Sequence, residues 1–218
     1  MSDLMDVSGG KISIASNNDG TTKKTTLLVV FGGVDVDKKE FDGVKRKKPI
    51  YVPSGDYMWR FMNDDLKGRF HIFVSSSNAV GGDASYRSLI SKLTEKKVTH
   101  TSEILYLFSG GGGPGTQLLD GNGADRFSSV FLVDIWMGFS KKRHPASFMP
   151  DFYKSFVNTH ANKTTYVFTE GGADNDKARD FLVNKLGSQK AVEVDNQKGE
   201  DGMQTHLRTN DVALKMLP

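Results

Sequence analysis

The stretch EILYLFSGGGGPGTQLL, Glu103 to Leu119, constrains the fold more than any other part of the chain. Its first half, rich in strand-forming residues, predicts a buried strand that ends on Ser109. Four glycines, Gly110 to Gly113, follow at once, and then Pro114, Gly115 and a short apolar segment. A chain that removes every side chain directly after a buried strand needs one of two things. Either the backbone turns sharply there, or another group comes very close to it.

The segments on either side of this stretch alternate in type. Met1 to Gly10 is polar and reads as a flexible N-terminal arm, which leaves residues 11–218 as a single domain. KISIAS (Lys11 to Ser16) alternates as a half-buried edge strand does, NNDG (Asn17 to Gly20) supplies turn residues, and TTLLVVF (Thr25 to Phe31) is apolar enough to be buried on both faces. These three predict an opening β-hairpin. Further strands are expected over 69–77, 129–137, 164–170 and 190–195. Helices are expected over 54–62, 83–96, 147–157, 174–187 and 209–217. In the second of these, Tyr86, Leu89, Ile90 and Leu93 fall on one face. The alternation predicts an α/β fold: a mainly parallel sheet with helices on both faces. In such sheets ligands bind at the carboxyl ends of the strands. Those ends carry Gly32–Gly33, Ser75–Ser77, Ser109–Gly113, Asp134 and Glu170–Gly172.

Composition narrows the chemistry. The chain has no cysteine, so disulfides, thiolate catalysis and Cys-ligated metals are excluded. A net charge of +3 over 218 residues does not call for nucleic acid, and KRKK (Lys45 to Lys48) reads as a solvated loop. No apolar run approaches the ~20 residues of a membrane helix. No secretory signal is visible at the N-terminus, so a cytoplasmic or virion-associated protein is expected. SGGGGPGT lacks the G-K-[ST] ending of a phosphate-binding loop. No histidine pair has metal spacing, and DVD (Asp35 to Asp37) and DND (Asp174 to Asp176) lack the EF-hand pattern. No cofactor or metal is therefore expected, and the sequence sets no oligomeric state.

The order of elements resembles the α/β-hydrolase superfamily. There a nucleophile sits on a sharp strand-to-helix elbow, and the acid and then the histidine follow it in the chain. Ser109 follows the third long strand, Gly110 and Gly111 supply the small residues after it, and Gly32–Gly33 resembles the oxyanion-hole loop. Leu107 departs from the pattern, because the elbow normally has a small residue two places before the nucleophile. Leucine there predicts a wider turn or a different one. The resemblance implies a serine hydrolase of the esterase or peptidase type acting on a small acyl substrate. Ser109 is the implied nucleophile, and His206, in a loop after the last strand, the implied base. Asp174 is the first-ranked acid, with Glu170 and Asp134 as alternatives. Gly33, Val34 and Gly110 are the implied oxyanion donors. Tyr57, Trp59, Trp136 and Met137 are candidates for an apolar pocket. The rival expectation is the same fold without the chemistry, in a binding, assembly or virion-associated protein whose glycine run lets a protein partner pack close.

Overall fold

The computed structural model describes residues 3–15, 25–33, 36–37, 51–52, 54–75, 81–135, 150–169, 176–195, 197 and 202–218. Ten strands are found among them: β1 (Asp3–Val7), β2 (Gly10–Ile14), β3 (Thr25–Phe31), β4 (Val36–Asp37), β5 (Tyr51–Val52), β6 (Phe70–Ser75), β7 (His100–Phe108), β8 (Ser129–Val133), β9 (Thr164–Thr169) and β10 (Ala191–Val194). The helices are α1 (Ser54–Phe61), α2 (Asp64–Arg69), α3 (Gly82–Glu95), α4 (Gly112–Leu119), α5 (Pro150–His160), α6 (Asp176–Leu186) and α7 (Gly202–Lys215). Eight strands form one sheet in the order β1-β2-β6-β3-β7-β8-β9-β10, and β4 and β5 pair apart from it. From β6 to β10 every pairing is parallel, while β1–β2 and β2–β6 are antiparallel.

The fold is therefore the expected mainly parallel sheet opening on a hairpin, but the hairpin lies one strand earlier than the turn residues suggested. It joins β1 to β2 through Ser8 and Gly9, whose φ of 86° glycine adopts without strain. β6 lies between β2 and β3, so KISIAS and TTLLVVF are not partners. The flexible arm expected over residues 1–10 is likewise corrected, since Asp3–Val7 is an edge strand. Met5 and Val7 pack against the core, which supplies the burial that the polar composition concealed. KRKK and NNDG lie outside the described residues.

The sheet divides the apolar residues between two layers by the two-residue period of a strand. Leu27, Val29, Leu105, Leu107, Val130 and Leu132 face α3, α4, α5 and α6. Leu28, Val30, Tyr106, Phe108, Phe131 and Val133 face α1, α2 and α7. Strand β7 lies inside the sheet, paired with β3 on one side and β8 on the other. Its carboxyl end is thus enclosed by neighbouring strand ends, and there the candidate residues gather.

Candidate active site

Ser109 takes up the turn that ends β7. Its φ is +51°, in the left-handed region that costs a non-glycine residue of order 1–3 kcal/mol. A short 3-10 turn over Ser109–Gly111 then leads into α4. The glycines after Ser109 do not make the turn: Gly111 has ordinary right-handed helical angles, φ −60° and ψ −13°. Gly111 supplies closeness instead. A Cβ on it would stand 2.3 Å from the carbonyl oxygen of Phe31 in β3. Both answers to the question posed by the glycine run hold, at different residues.

Leu107 is accommodated by another glycine. A Cβ on Gly115, one helical turn beyond Gly111, would lie 2.3 Å from Leu107 Cδ1 and 2.7 Å from Tyr153 Oη. The space that a small residue usually leaves at the elbow is provided here by α4 instead. The Tyr153 hydroxyl, in α5, donates to the Gly112 carbonyl, and burial raises its pKa far above the usual phenol range, so it stays a neutral donor. Leu107 therefore does not prevent the sharp turn.

Around Ser109 the ends of adjacent strands supply polar groups. Asp134 follows β8 directly and also has a positive φ, +48°. The third non-glycine residue with positive φ among the described residues, Lys97, follows the end of α3, where this conformation is common. The side chain of Asp134 is 2 % exposed. Its Oδ1 accepts the Thr169 backbone N–H at 3.2 Å, and its Oδ2 accepts the Thr169 hydroxyl at 3.2 Å and is hydrogen-bonded to His206 Nδ1. Two groups of Thr169, at the end of β9, thus orient a buried carboxylate toward an imidazole. The His206 ring also packs on Phe108, centroid to centroid 4.6 Å, beside Ser109.

His206 sits in α7, not in the expected loop. The helix begins at Gly202, seven residues before the predicted start at Thr209. The Gly- and acid-containing residues before it masked the helix in the sequence. Of the three candidate acids, Asp134 is the one whose carboxylate the structure brings to His206; Glu170 and Asp174 lie outside the described residues, as do Val34, Trp136 and Met137. Gly33 adjoins the site, since its Cβ would lie 3.1 Å from Ser109 Cβ. Its N–H is engaged, donating to Tyr57 Oη at 2.9 Å. Tyr57 is fully buried and Trp59 is partly buried against the same core layer. Gly110 is half-buried directly after Ser109.

The sequence gives no sign of the roles of Thr169 and of the Tyr57 hydroxyl. A threonine at a strand end carries no signal until the neighbouring strand is known to end in an acid. A second histidine–carboxylate pair lies toward the amino end of β7, where His100 Nε2 is 2.9 Å from Glu103 Oε1 and the Tyr86 hydroxyl donates to Glu103 Oε2 at 2.6 Å. Among the described residues no group of three or more His, Asp or Glu side chains is arranged to hold a metal ion. Nor is any helix among them long and apolar enough to cross a membrane.

The architecture is the α/β-hydrolase fold. No family model matches the chain, and no curated protein sequence is similar to it. Among solved structures, the chain is similar to Est1E from Butyrivibrio proteoclasticus, with a TM-score of 0.51 and 12% identity over 99% of this chain and 97% of that one. It is also similar to the acylaminoacyl peptidase of Pyrococcus horikoshii, with a TM-score of 0.51 and 11% identity over 99% of this chain and 41% of that one. At such identities the likeness is one of fold.

Proposed function

We propose that the protein is a serine hydrolase that cleaves a carboxylic ester or amide, with Ser109 as nucleophile, His206 as base and Asp134 as the acid that orients it. The observation that carries this reading is the pairing of His206 Nδ1 with a buried, doubly hydrogen-bonded carboxylate, on a ring packed against Phe108, the residue before a serine held at positive φ. Nδ1 is committed to Asp134, so Nε2 is the nitrogen left for the serine hydroxyl.

The steps follow from these roles. Ser109 Oγ attacks the acyl carbon while His206 Nε2 takes the hydroxyl proton. The carbonyl π electrons move to oxygen, giving a tetrahedral oxyanion. The imidazolium then protonates the leaving alcohol or amine as its bond to carbon breaks, which leaves an acyl-serine. Water attacks that ester, again losing a proton to Nε2; the carboxylic acid departs and Ser109 recovers its proton. Gly110 N–H, directly after the nucleophile, serves the oxyanion. Gly33 gives its own N–H to Tyr57.

A fluorophosphonate probe tests the proposal. It should label the wild-type protein at Ser109, as located by mass spectrometry, and label neither Ser109→Ala nor His206→Ala. A folded wild-type protein that takes up no label across a broad pH range would sink the proposal and favour a hydrolase fold used for binding or assembly.

A further inference from the structure

Two side chains on one face of β7 meet two side chains on one face of α7. Phe108 lies against His206, and the Tyr106 hydroxyl donates to Asn210 Oδ1 at 2.8 Å. Residues two apart on a strand advance about 6.6 Å, and residues four apart on a helix about 6 Å. The two pairs therefore stack with matched spacing, the helix running opposite to the strand. Ser109 is the residue after Phe108, so the strand that places the candidate nucleophile also carries both contacts to the helix that places the histidine.

The Tyr106–Asn210 pair differs in kind from the contacts around it. Leu207, Ala213 and Leu214 pack α7 on the sheet through apolar contact, which has little directional preference. Tyr106 and Asn210 are both fully buried, and their bond has a direction. The orientation of the amide is fixed as well: Asn210 Nδ2 donates to the Leu207 carbonyl at 3.0 Å, and a carbonyl can only accept, so Oδ1 must face Tyr106. The phenol is a lasting donor, because burial, and then the nearby Asp211 and Tyr57, push its pKa well above the ordinary value. The Tyr106 ring is itself stacked on Phe131 in β8, with centroids 6.2 Å apart and planes 18° apart. A slip of α7 by one residue moves it about 1.5 Å and turns it about 100°. That slip takes Asn210 off the phenol and brings either Thr209 or the exposed Asp211 toward it.

We propose that Tyr106 and Asn210 form a register pin: a positioning pair that fixes the height and rotation of α7 and so holds His206 on Asp134 and on Phe108, the residue before Ser109. The catalytic part of this inference rests on the serine-hydrolase reading. The positional part, the placement of His206 on Asp134, does not.

The test uses the full chain carrying Tyr106→Phe and Asn210→Leu together. Removing both partners leaves no orphaned phenol or amide oxygen, so the cost in stability is small. The melting temperature should stay near wild type. The fluorophosphonate labelling rate of Ser109 should fall on the order of 10²-fold, the effect of a displacement near 1 Å. The Nδ1 proton that His206 gives to the Asp134 carboxylate should produce a downfield NMR signal in the wild-type protein, and that signal should broaden or vanish in the variant. A double variant that keeps both the wild-type labelling rate and that proton signal overturns the pin. Should the double variant not fold, Tyr106→Phe alone is read in the same way, with a several-fold fall in labelling expected and an unchanged rate and signal counting against the pin. If the wild-type protein takes no label, the hydrolase reading fails on its own. The proton signal then decides the pin, its loss in the variant supporting it and its survival overturning it.

Discussion

The two faces of β7 fix the end of the strand by opposite means. On the face of Tyr106 and Phe108, α7 is held by side chains with direction, a phenol on an amide and a ring on an imidazole. On the face of Leu105 and Leu107, α4 is held close by missing side chains, at Gly111 against the β3 backbone and at Gly115 against Leu107. The first arrangement can lose an atom and stay folded, because the apolar contacts remain. The second cannot gain one. Substitutions on the α7 face should therefore remove chemistry at nearly constant stability, and substitutions on the α4 face should remove stability first.

The largest effect expected on the α7 side is that of Asp134→Asn. The amide oxygen can still accept from Thr169, which leaves the NH2 group facing His206 Nδ1. Nδ1 must then accept a hydrogen bond, the ring proton moves to Nε2, and Nε2 can no longer act as the base proposed for Ser109. The labelling rate should fall about 10⁴-fold with the fold intact. A variant that unfolds readily yet labels at the wild-type rate per folded molecule would break the contrast between the faces.

Gly111→Ala is the counterpart on the α4 side. The new methyl would meet main-chain atoms, Phe31 O at 2.3 Å and Gly32 O at 2.8 Å, which cannot swing aside. A loss of stability of about 3 kcal/mol or more is expected in denaturant titration. Gly115→Ala should cost less, about 1–3 kcal/mol, because Leu107 Cδ1 and Tyr153 Oη are ends of side chains and can yield. Leu107→Ala empties the same space. The double variant should therefore be destabilised by at least about 1 kcal/mol less than the two single losses added together. Strict additivity would mean that Gly115 is not what accommodates Leu107.

This contrast also marks where sequence reading succeeds. The strands of the parallel core were legible because their apolar runs leave little other reading, and the polar strand ends placed Ser109, Asp134 and Gly33 along one edge. What was not legible depended on partners distant in the chain. Leu107 breaks a local rule and is relieved by Gly115, eight residues on, only once α4 lies against the strand. Chain order says nothing of where a buried carboxylate points, so the contact of Asp134 with His206 is not legible in it. Glycines and acids hide the first turns of α7 in the sequence, so the helical setting of His206 is not legible there. Asp3–Val7 reads as an arm because a polar segment becomes a strand only through the hairpin that pairs it.

The smallest effect tests the glycine run itself. Gly113 stands between the two glycines that cannot carry a side chain, yet a Cβ built on it meets no atom within 4 Å. It lies within α4, and it is not among the described glycines with positive φ. Neither closeness nor backbone conformation therefore requires glycine there, and alanine should instead reduce the entropy of the unfolded chain and favour the helix. Gly113→Ala is expected to raise stability by about 0.4–1 kcal/mol and to leave labelling of Ser109 unchanged. The measurement is a pair of denaturant curves, with Gly111→Ala as the opposite control on the same short segment. A marked loss of stability would show that α4 is crowded along its outer side as well. The difference between the faces of β7 would then no longer come down to two glycines one helical turn apart.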